Sequence, residues 1–282
     1  MVGSKPEVLL EGLAFPECPR WRDGDLFFSE KRAHRILRMD EAGRAETVVE
    51  LDDEPGGIGW LPDVALAIVA QVSRRLVRYD GDGVSEIADL RALTAGKCND
   101  MVVDSRGRAY VGHFGYDLKG GTPKLASLVL VTPEGEARVA AEDLDFPNGS
   151  EFIDDERVLI VAESGAQRLT AFDVGQDGSL SGRRVWADLA PMVADGLCID
   201  AEGAVWFADP LVGQVVRVRE GGDVTDQISM DGPAAFACAL GGNDGRTLFI
   251  CTDDQAAALQ SVPSKNGTIQ GIRVDVPSLE HA

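Results

Sequence analysis

A short apolar run preceded in nearly every case by a polar turn recurs six times in this chain. The copies lie at residues 26–29, 65–70, 109–113, 158–163, 205–209 and 248–252, roughly 39 to 49 residues apart. A repeat of that length is a supersecondary unit that cannot bury its own apolar face and has to stack against copies of itself. The clearest copy is residues 195–209, DGLCIDAEGAVWFAD. It opens on an acidic residue and a glycine, runs through apolar residues to Asp200, turns at Ala201-Glu202-Gly203 and returns through a second apolar run. Two short runs joined by a glycine-containing turn specify a β-hairpin.

A third, alternating run follows each hairpin, at 35–39, 76–79, 128–131, 169–172, 215–218 and 269–276. A fourth follows in five of the six units, at 47–51, 85–88, 137–141, 184–187 and 224–229. The sixth stands at the other end of the chain, at residues 8–13, where VLLEGL leads into FPE much as VAAEDL leads into DFPN. The pattern predicts an all-β chain: a six-bladed β-propeller of four-stranded antiparallel blades, closed by the N-terminal strand joining the last blade. Residues 1–282 are expected to form a single domain, since no linker-like composition breaks the series. No segment of 12 or more residues carries a helical period; only 90–95 and 255–259 suggest single turns.

Composition narrows the function. There are 47 Asp and Glu against 27 Lys and Arg, a formal net charge of -20, so nucleic acid and anionic membranes are excluded as natural partners and cations are favoured. The first six residues lack a basic segment leading into an apolar one, and no run of about 18 apolar residues occurs, which predicts a cytoplasmic protein. Five scattered cysteines without CxxC spacing argue against a disulfide framework or zinc cluster. Nothing marks a dimer face, leaving monomer and dimer both open.

In a propeller the first strand of each blade lines the central channel, and its leading residue lies at one mouth. Counting back from each second strand lands on Glu17, Gly56-Gly57, Asn99, Asn148, Asp195 and Cys238. Four of these six positions carry hard oxygen donors. Two carboxylates and two amides without histidine suit Ca²⁺ better than Zn²⁺, with Mg²⁺ or Mn²⁺ as alternatives. Read singly, Asn148-Gly149 and Asp195-Gly196 are ordinary turn dipeptides and Asn99-Asp100 an Asx turn. Cys18 and Cys98, as strand neighbours of Glu17 and Asn99, are expected to point away from the channel into the packing between blades.

The loops after the second strands return to the same mouth and offer Glu30, His113, Tyr116, Glu163, Asp209 and Asp253 as pocket walls. His113 is either a pocket base or a half-buried strand histidine. The longest loops, 114–126 and 253–267, are expected to form a substrate-facing lid. Trp21, Trp60, Trp186 and Trp206 fall within or beside strands and read as blade packing.

The segments FPECPRW (15–21), CNDMVVDSRGRAYVG (98–112), FPNG (146–149), DGLCIDAEGAVWFAD (195–209) and ACALGGNDGRTLFICT (237–252) resemble the gluconolactonase, regucalcin (senescence marker protein) and luciferin-regenerating enzyme family over nearly the whole chain. That family is similar in fold to diisopropylfluorophosphatase, another six-bladed calcium propeller. The resemblance implies a divalent-metal lactonase in which Glu17, Asn148 and Asp195 match the metal ligands. Asn99 matches an asparagine that contacts substrate or completes the metal shell, and Asp195 also matches the general base. Two positions depart from the family pattern: Lys97 stands where an arginine is frequent, and Phe236 where a small hydroxylated residue is frequent. Both changes point to a lactone or ester less polar than a sugar lactone. The expected substrate contacts are Asn99, Lys97, His113, Tyr116, Glu163 and Phe236. A phosphotriesterase-like hydrolase on the same metal site, or a calcium-binding propeller without catalysis, are the alternative readings.

Overall fold

The computed structural model describes residues 5–118, 120–254 and 265–279. Among them the chain forms twenty-four strands, numbered in chain order, and one turn of 3-10 helix, η1 (Lys31–Ala33). The strands make six four-stranded antiparallel sheets, of which five use consecutive strands. The sixth has the order β1 (Glu7–Leu13), β24 (Gly267–Arg273), β23 (Thr247–Asp253) and β22 (Ala234–Gly241), so the N-terminal strand completes the C-terminal blade. The fold is the six-bladed β-propeller read from the repeats, closed as expected. The third strand of the last blade spans 267–273 rather than 269–276, because Thr268 pairs with Thr252 and Arg273 with Thr247.

The inner strands are β2 (Pro16–Arg22), β6 (Pro55–Trp60), β10 (Cys98–Val103), β14 (Pro147–Ile153), β18 (Leu197–Ile199) and β22. Each contacts the inner strands of the two neighbouring blades, forming a ring around the axis. The second strands, β3 (Asp25–Glu30), β7 (Leu66–Ala70), β11 (Ala109–His113), β15 (Val158–Glu163), β19 (Val205–Asp209) and β23, are packed on both faces, which explains their unbroken apolar runs. Outer strands such as β9 (Val84–Asp89) and β21 (Val224–Ser229) are largely exposed and polar.

The core is divided by this geometry. One apolar cluster fills each of the six interfaces between neighbouring blades, including the closing one, where Leu26, Phe28 and Met39 of the first blade meet Phe249, Cys251 and Ile269 of the last. Trp186 and Trp206 are buried in this packing, and Trp21 stacks on Phe249 with ring centroids 5.2 Å apart. The repeated turns have a common cause. Asp200 Oδ1 accepts the backbone N–H groups of Glu202 (2.9 Å) and Ala204 (3.1 Å), and Asp104 Oδ1 those of Arg106 (3.0 Å) and Arg108 (2.8 Å). The aspartate closes the turn on itself, and Gly203 and Gly107, at φ +74° and +79°, supply its left-handed residue. Residues 90–95 make the expected single turn, Leu93 N–H bonding to Leu90 O at 3.0 Å. The other expected turn, 255–259, lies outside the described residues. No helix among the described residues is long and apolar enough to cross a membrane.

Candidate functional site

The inner strands lose their regular register at one mouth of the channel. In β2, Glu17 pairs with Ser29 and Arg20 with Phe27, so two residues oppose one. The same irregularity lies between Pro55 and Ile58, Cys98 and Met101, Pro147 and Ser150, and Ala235 and Ala237. In the fifth blade the segment ahead of β18 enters through bonds from Asp195 N–H to Ala208 O (2.9 Å) and from Ala208 N–H to Gly196 O (3.0 Å). A bulge re-aims the side chains next to it, and Glu17, Asn99, Asn148 and Asp195 all stand at these irregular entries. The equivalent position of the sixth blade is Ala235, not Cys238 as the spacing suggested. The bulge there absorbs Phe236, and Cys238 packs between the last two blades with its Sγ 3.9 Å from that of Cys198.

Two of the four entries share a backbone device. Phe15 and Phe146 adopt φ of +64° and +59° ahead of Pro16 and Pro147, and the residue after each proline is Glu17 or Asn148. Bulky residues rarely adopt this conformation, and its recurrence accounts for the shared FP signature. The glycines after Asn148 and Asp195 have a different role from the one their dipeptides suggested. Neither has positive φ. A Cβ on Gly149 would lie 2.7 Å from Asp195 O, and one on Gly196 2.4 Å from Ala237 Cβ. These glycines let adjacent inner strands approach each other closely.

A directed chain of hydrogen bonds runs around the mouth. Gln71 Nε2 donates to Asn99 Oδ1 (3.4 Å), Asn99 Nδ2 to Asn148 Oδ1 (3.0 Å), Asn148 Nδ2 to Ser164 Oγ (3.2 Å), and Ser164 Oγ to the carbonyl of Ala194 (2.6 Å). It passes from the second blade to the fifth and ends on the residue before Asp195. Glu17 stands at the equivalent entry of the first blade, and its charge reaches Asp195. Its Oε1 accepts from Lys31 Nζ at 3.2 Å and its Oε2 from Cys18 N–H at 3.3 Å.

The electrostatics are those of excess negative charge. Glu17 is 6 % exposed, and burial raises its carboxyl above the usual range; Lys31 opposes that shift and Asp100 adds to it. Asp195, half-buried, is pushed well above the carboxylate range by desolvation and then by the charge of Glu17, with Lys31 and an N–H of Asn148 pulling the other way. Burial lowers the proton affinity of Lys31, but Glu17 and more distant acidic groups outweigh it and hold the ammonium charged. Asp100, also buried, is turned to its own neighbour, accepting from Met101 N–H at 2.8 Å with Arg20 at 3.8 Å.

Among the described residues no group of three or more His, Cys, Asp and Glu side chains is arranged to hold a metal. The set at this mouth is of another kind, two carboxylates and two amides. These are hard oxygen donors of the sort that bind an oxygen-liganded cation, and the two carboxyls have a single ammonium, Lys31, to oppose them. On that ground the residues fit a divalent cation.

The other expected contacts are placed differently. His113 is 3 % exposed, and both ring nitrogens are engaged, Nδ1 by Gly115 N–H (3.0 Å) and Nε2 by Ser127 Oγ (3.0 Å) and N–H (3.1 Å). It pins the base of the 114–126 loop and is the strand histidine of the two readings. Glu163 is fully buried and saturated by Thr170, Arg168 (2.9 Å), Arg183 (3.1 Å) and the N–H of Asp145 (2.8 Å), which hold its carboxyl below the usual range despite the cost of burial. Glu30 likewise accepts from Ala14 N–H (2.8 Å) and Arg35 (2.5 Å), and Asp209 from Leu211 N–H and Gln214, both at 3.1 Å. These strand-end carboxylates tie loops down instead of walling a pocket.

Lys97 lies at the rim in an ion pair with Glu54 (2.6 Å), which also binds Arg32. Tyr116 is half-buried, its backbone against Gly96. Phe236 meets Phe15 edge-on at 4.8 Å, with Lys31 Nζ 5.6 Å from the Phe15 ring, and Phe114 stacks on Phe146 at 5.1 Å. Cys98 packs between blades as expected, whereas Cys18, at φ +51° in the bulge, keeps its Sγ 3.9 Å from Glu17 Oε2. Of the expected lid, residue 119 and residues 255–264 lie outside the described residues. A separate cavity of about 1260 Å³ opens among the turns joining first to second strands, lined by Trp21, Trp60, Ser105, Glu156 and Asn243, and holds none of the clustered oxygens. Sequence reasoning missed Lys31 and Ser164, which follow strand ends directly and reach the cluster only through the fold.

Residues 15–254 match the model of the SMP-30/Gluconolactonase/LRE-like region family. The chain belongs to that family. Within the SMP-30/gluconolactonase group it is similar to 6-deoxy-6-sulfogluconolactonase of Pseudomonas putida, 26 % identical with 93 % of this chain and 91 % of the relative covered. It is also similar to regucalcin of Danio rerio, at 27 % identity over 95 % of this chain and 94 % of that one. The crystal structure of a calcium-binding protein, regucalcin, from Agrobacterium tumefaciens superposes with a TM-score of 0.80 at 19 % identity, covering 98 % of this chain and 95 % of the other, and shares the fold.

Proposed function

We propose that residues 1–282 act as one hydrolase domain that depends on a divalent metal, with Ca²⁺ as its ion, and opens a lactone or related ester. Glu17, Asn148 and Asp195 hold the ion, Asn99 stands between ion and substrate, and Asp195 is the general base. The observation that carries this reading is the convergence of four oxygen-bearing side chains from four blades, with both carboxyls driven above their usual range by burial, Asp195 also by the charge of Glu17 and Glu17 by that of Asp100. A lactonase among the relatives and a calcium-binding protein among the similar structures support it.

A divalent ion at this position supplies Lewis acidity toward the carbonyl oxygen of the substrate. Asp195 takes the proton of the attacking water; the cation it helps to hold would keep its basicity modest, which suits an easily opened ring. The hydrogen-bond chain from Gln71 to Ala194 fixes the amides of Asn99 and Asn148 so that substrate meets a preset surface. The rings of Phe15, Phe236, Phe114 and Phe146 exclude water and favour an apolar substituent on the lactone over a polyhydroxylated one. Lys97, paired with Glu54, borders the entrance. The test is a panel of sugar lactones, alkyl lactones and aryl esters assayed with Ca²⁺, Mg²⁺, Mn²⁺ or Zn²⁺. Turnover that requires an added ion is expected. Absence of turnover on every member overturns the hydrolase reading, and full turnover after chelation overturns the metal.

A further inference from the structure

Lys31 stands where its charge matters most. It is 6 % exposed, and its ammonium lies 3.2 Å from Glu17 Oε1 and 5.6 Å from the centre of the Phe15 ring. Buried lysines are rare and occur paired. The partner here is a carboxylate assigned above to the metal, and Asp195 feels the same charge. The backbone leaves little slack. Lys31 N–H bonds to Phe15 O and Arg32 N–H to Ala14 O, both at 3.1 Å, so η1 is tied to the segment that carries Glu17. Arg32, the next residue, turns to the rim and pairs with Glu54. Of these two adjacent cations, one is spent on the surface network and the other is directed into the oxygen cluster.

We propose that the Lys31 ammonium is a built-in occupant of the cation position, holding Glu17 in the absence of a divalent ion and having to leave it for one to bind. The inference rests on the metal reading above and deepens it: Lys31 sets the affinity of the site by competing for the same carboxylate. An ammonium and a divalent ion cannot share Glu17 at hydrogen-bond distance without strong like-charge repulsion in so buried a place. The tethered ammonium is always present at the site, whereas the ion has to be supplied, so the chain binds divalent ions weakly and exchanges them readily.

Two measurements test this, neither of which reads activity. Calorimetric titration of CaCl₂ and MnCl₂ into wild type, Lys31→Met and Lys31→Gln is expected to show at least tenfold tighter binding in both variants. Wild-type binding with no gain in folded variants overturns the inference and leaves the metal reading standing. No binding by wild type or by either variant overturns both. The second measurement needs no substitution. Reductive methylation of wild type, followed by peptide mass spectrometry, is expected to label Lys31 several-fold faster in saturating Ca²⁺ than in chelator, since the ion expels the ammonium from its buried place. Equal labelling in the two conditions overturns the inference.

Discussion

Asn99 donates its side-chain N–H to Oδ1 of Asn148 at 3.0 Å, across the boundary between the third and fourth blades and 49 residues apart in the chain. Each of the two amides is engaged at both ends, Asn99 receiving from Gln71 and Asn148 giving to Ser164. Asn99→Leu therefore strands two buried groups at once, Gln71 Nε2 and Asn148 Oδ1. A loss of about 1–3 kcal/mol in urea unfolding is expected, with a fall in turnover. Unchanged stability would show that the chain of bonds does not hold the mouth together.

Asp195→Asn separates chemistry from folding. The carboxyl it removes is half-buried and raised by the charge of Glu17, which costs the folded state free energy, so the melting temperature of the chelated variant should equal or exceed that of wild type. Turnover should drop by about 10²-fold or more, the usual contribution of a general base. A variant that keeps full turnover excludes Asp195 from that role.

Gly149→Ala tests the close approach of the fourth and fifth blades. The new Cβ would lie 2.7 Å from Asp195 O and from Leu197 N, both backbone atoms that cannot yield. Destabilisation of about 1–3 kcal/mol is expected from the forced shift, measured by urea unfolding. Gly203→Ala, in an open turn where no atom lies within 4 Å of the added Cβ, should cost only the strain of its positive φ.

His113 predicts the acid side of the stability profile. Burial lowers its ring to about 4 from an ordinary 6.5. Between those values the unfolded chain binds a proton that the folded chain refuses. Stability therefore falls as pH drops from about 6.5 to about 4, by up to about 3 kcal/mol from this residue, and this contribution is constant above that window. His113→Gln should flatten the slope in denaturant midpoints taken across the same range.

The repeat count picked out four of the positions that make up the candidate site. Glu17, Asn99, Asn148 and Asp195 occupy equivalent irregular entries because each blade presents the same inner strand to the same axis. The count failed at the sixth blade, where one bulged residue moved the equivalent position from Cys238 to Ala235. The loops after the second strands offered Glu30, Glu163 and Asp209 as pocket walls, whereas each accepts bonds that tie a loop down. A carboxylate at a strand end looks the same in sequence whether it faces a channel or accepts the N–H of a crossing loop.

The sequence by itself determined the six-fold repeat, the strand order within each blade and the closure by the N-terminal strand. All three follow from local periodicity and turn chemistry, which neighbouring residues encode. Only the tertiary structure decided which groups complete the cluster. Lys31 reaches Glu17 because η1 is bonded to the backbone of Ala14 and Phe15, and Ser164 reaches Ala194 because two blades abut. Contacts between segments distant in the chain depend on how bulges and glycines set the spacing of the inner strands, and that spacing has no local signature.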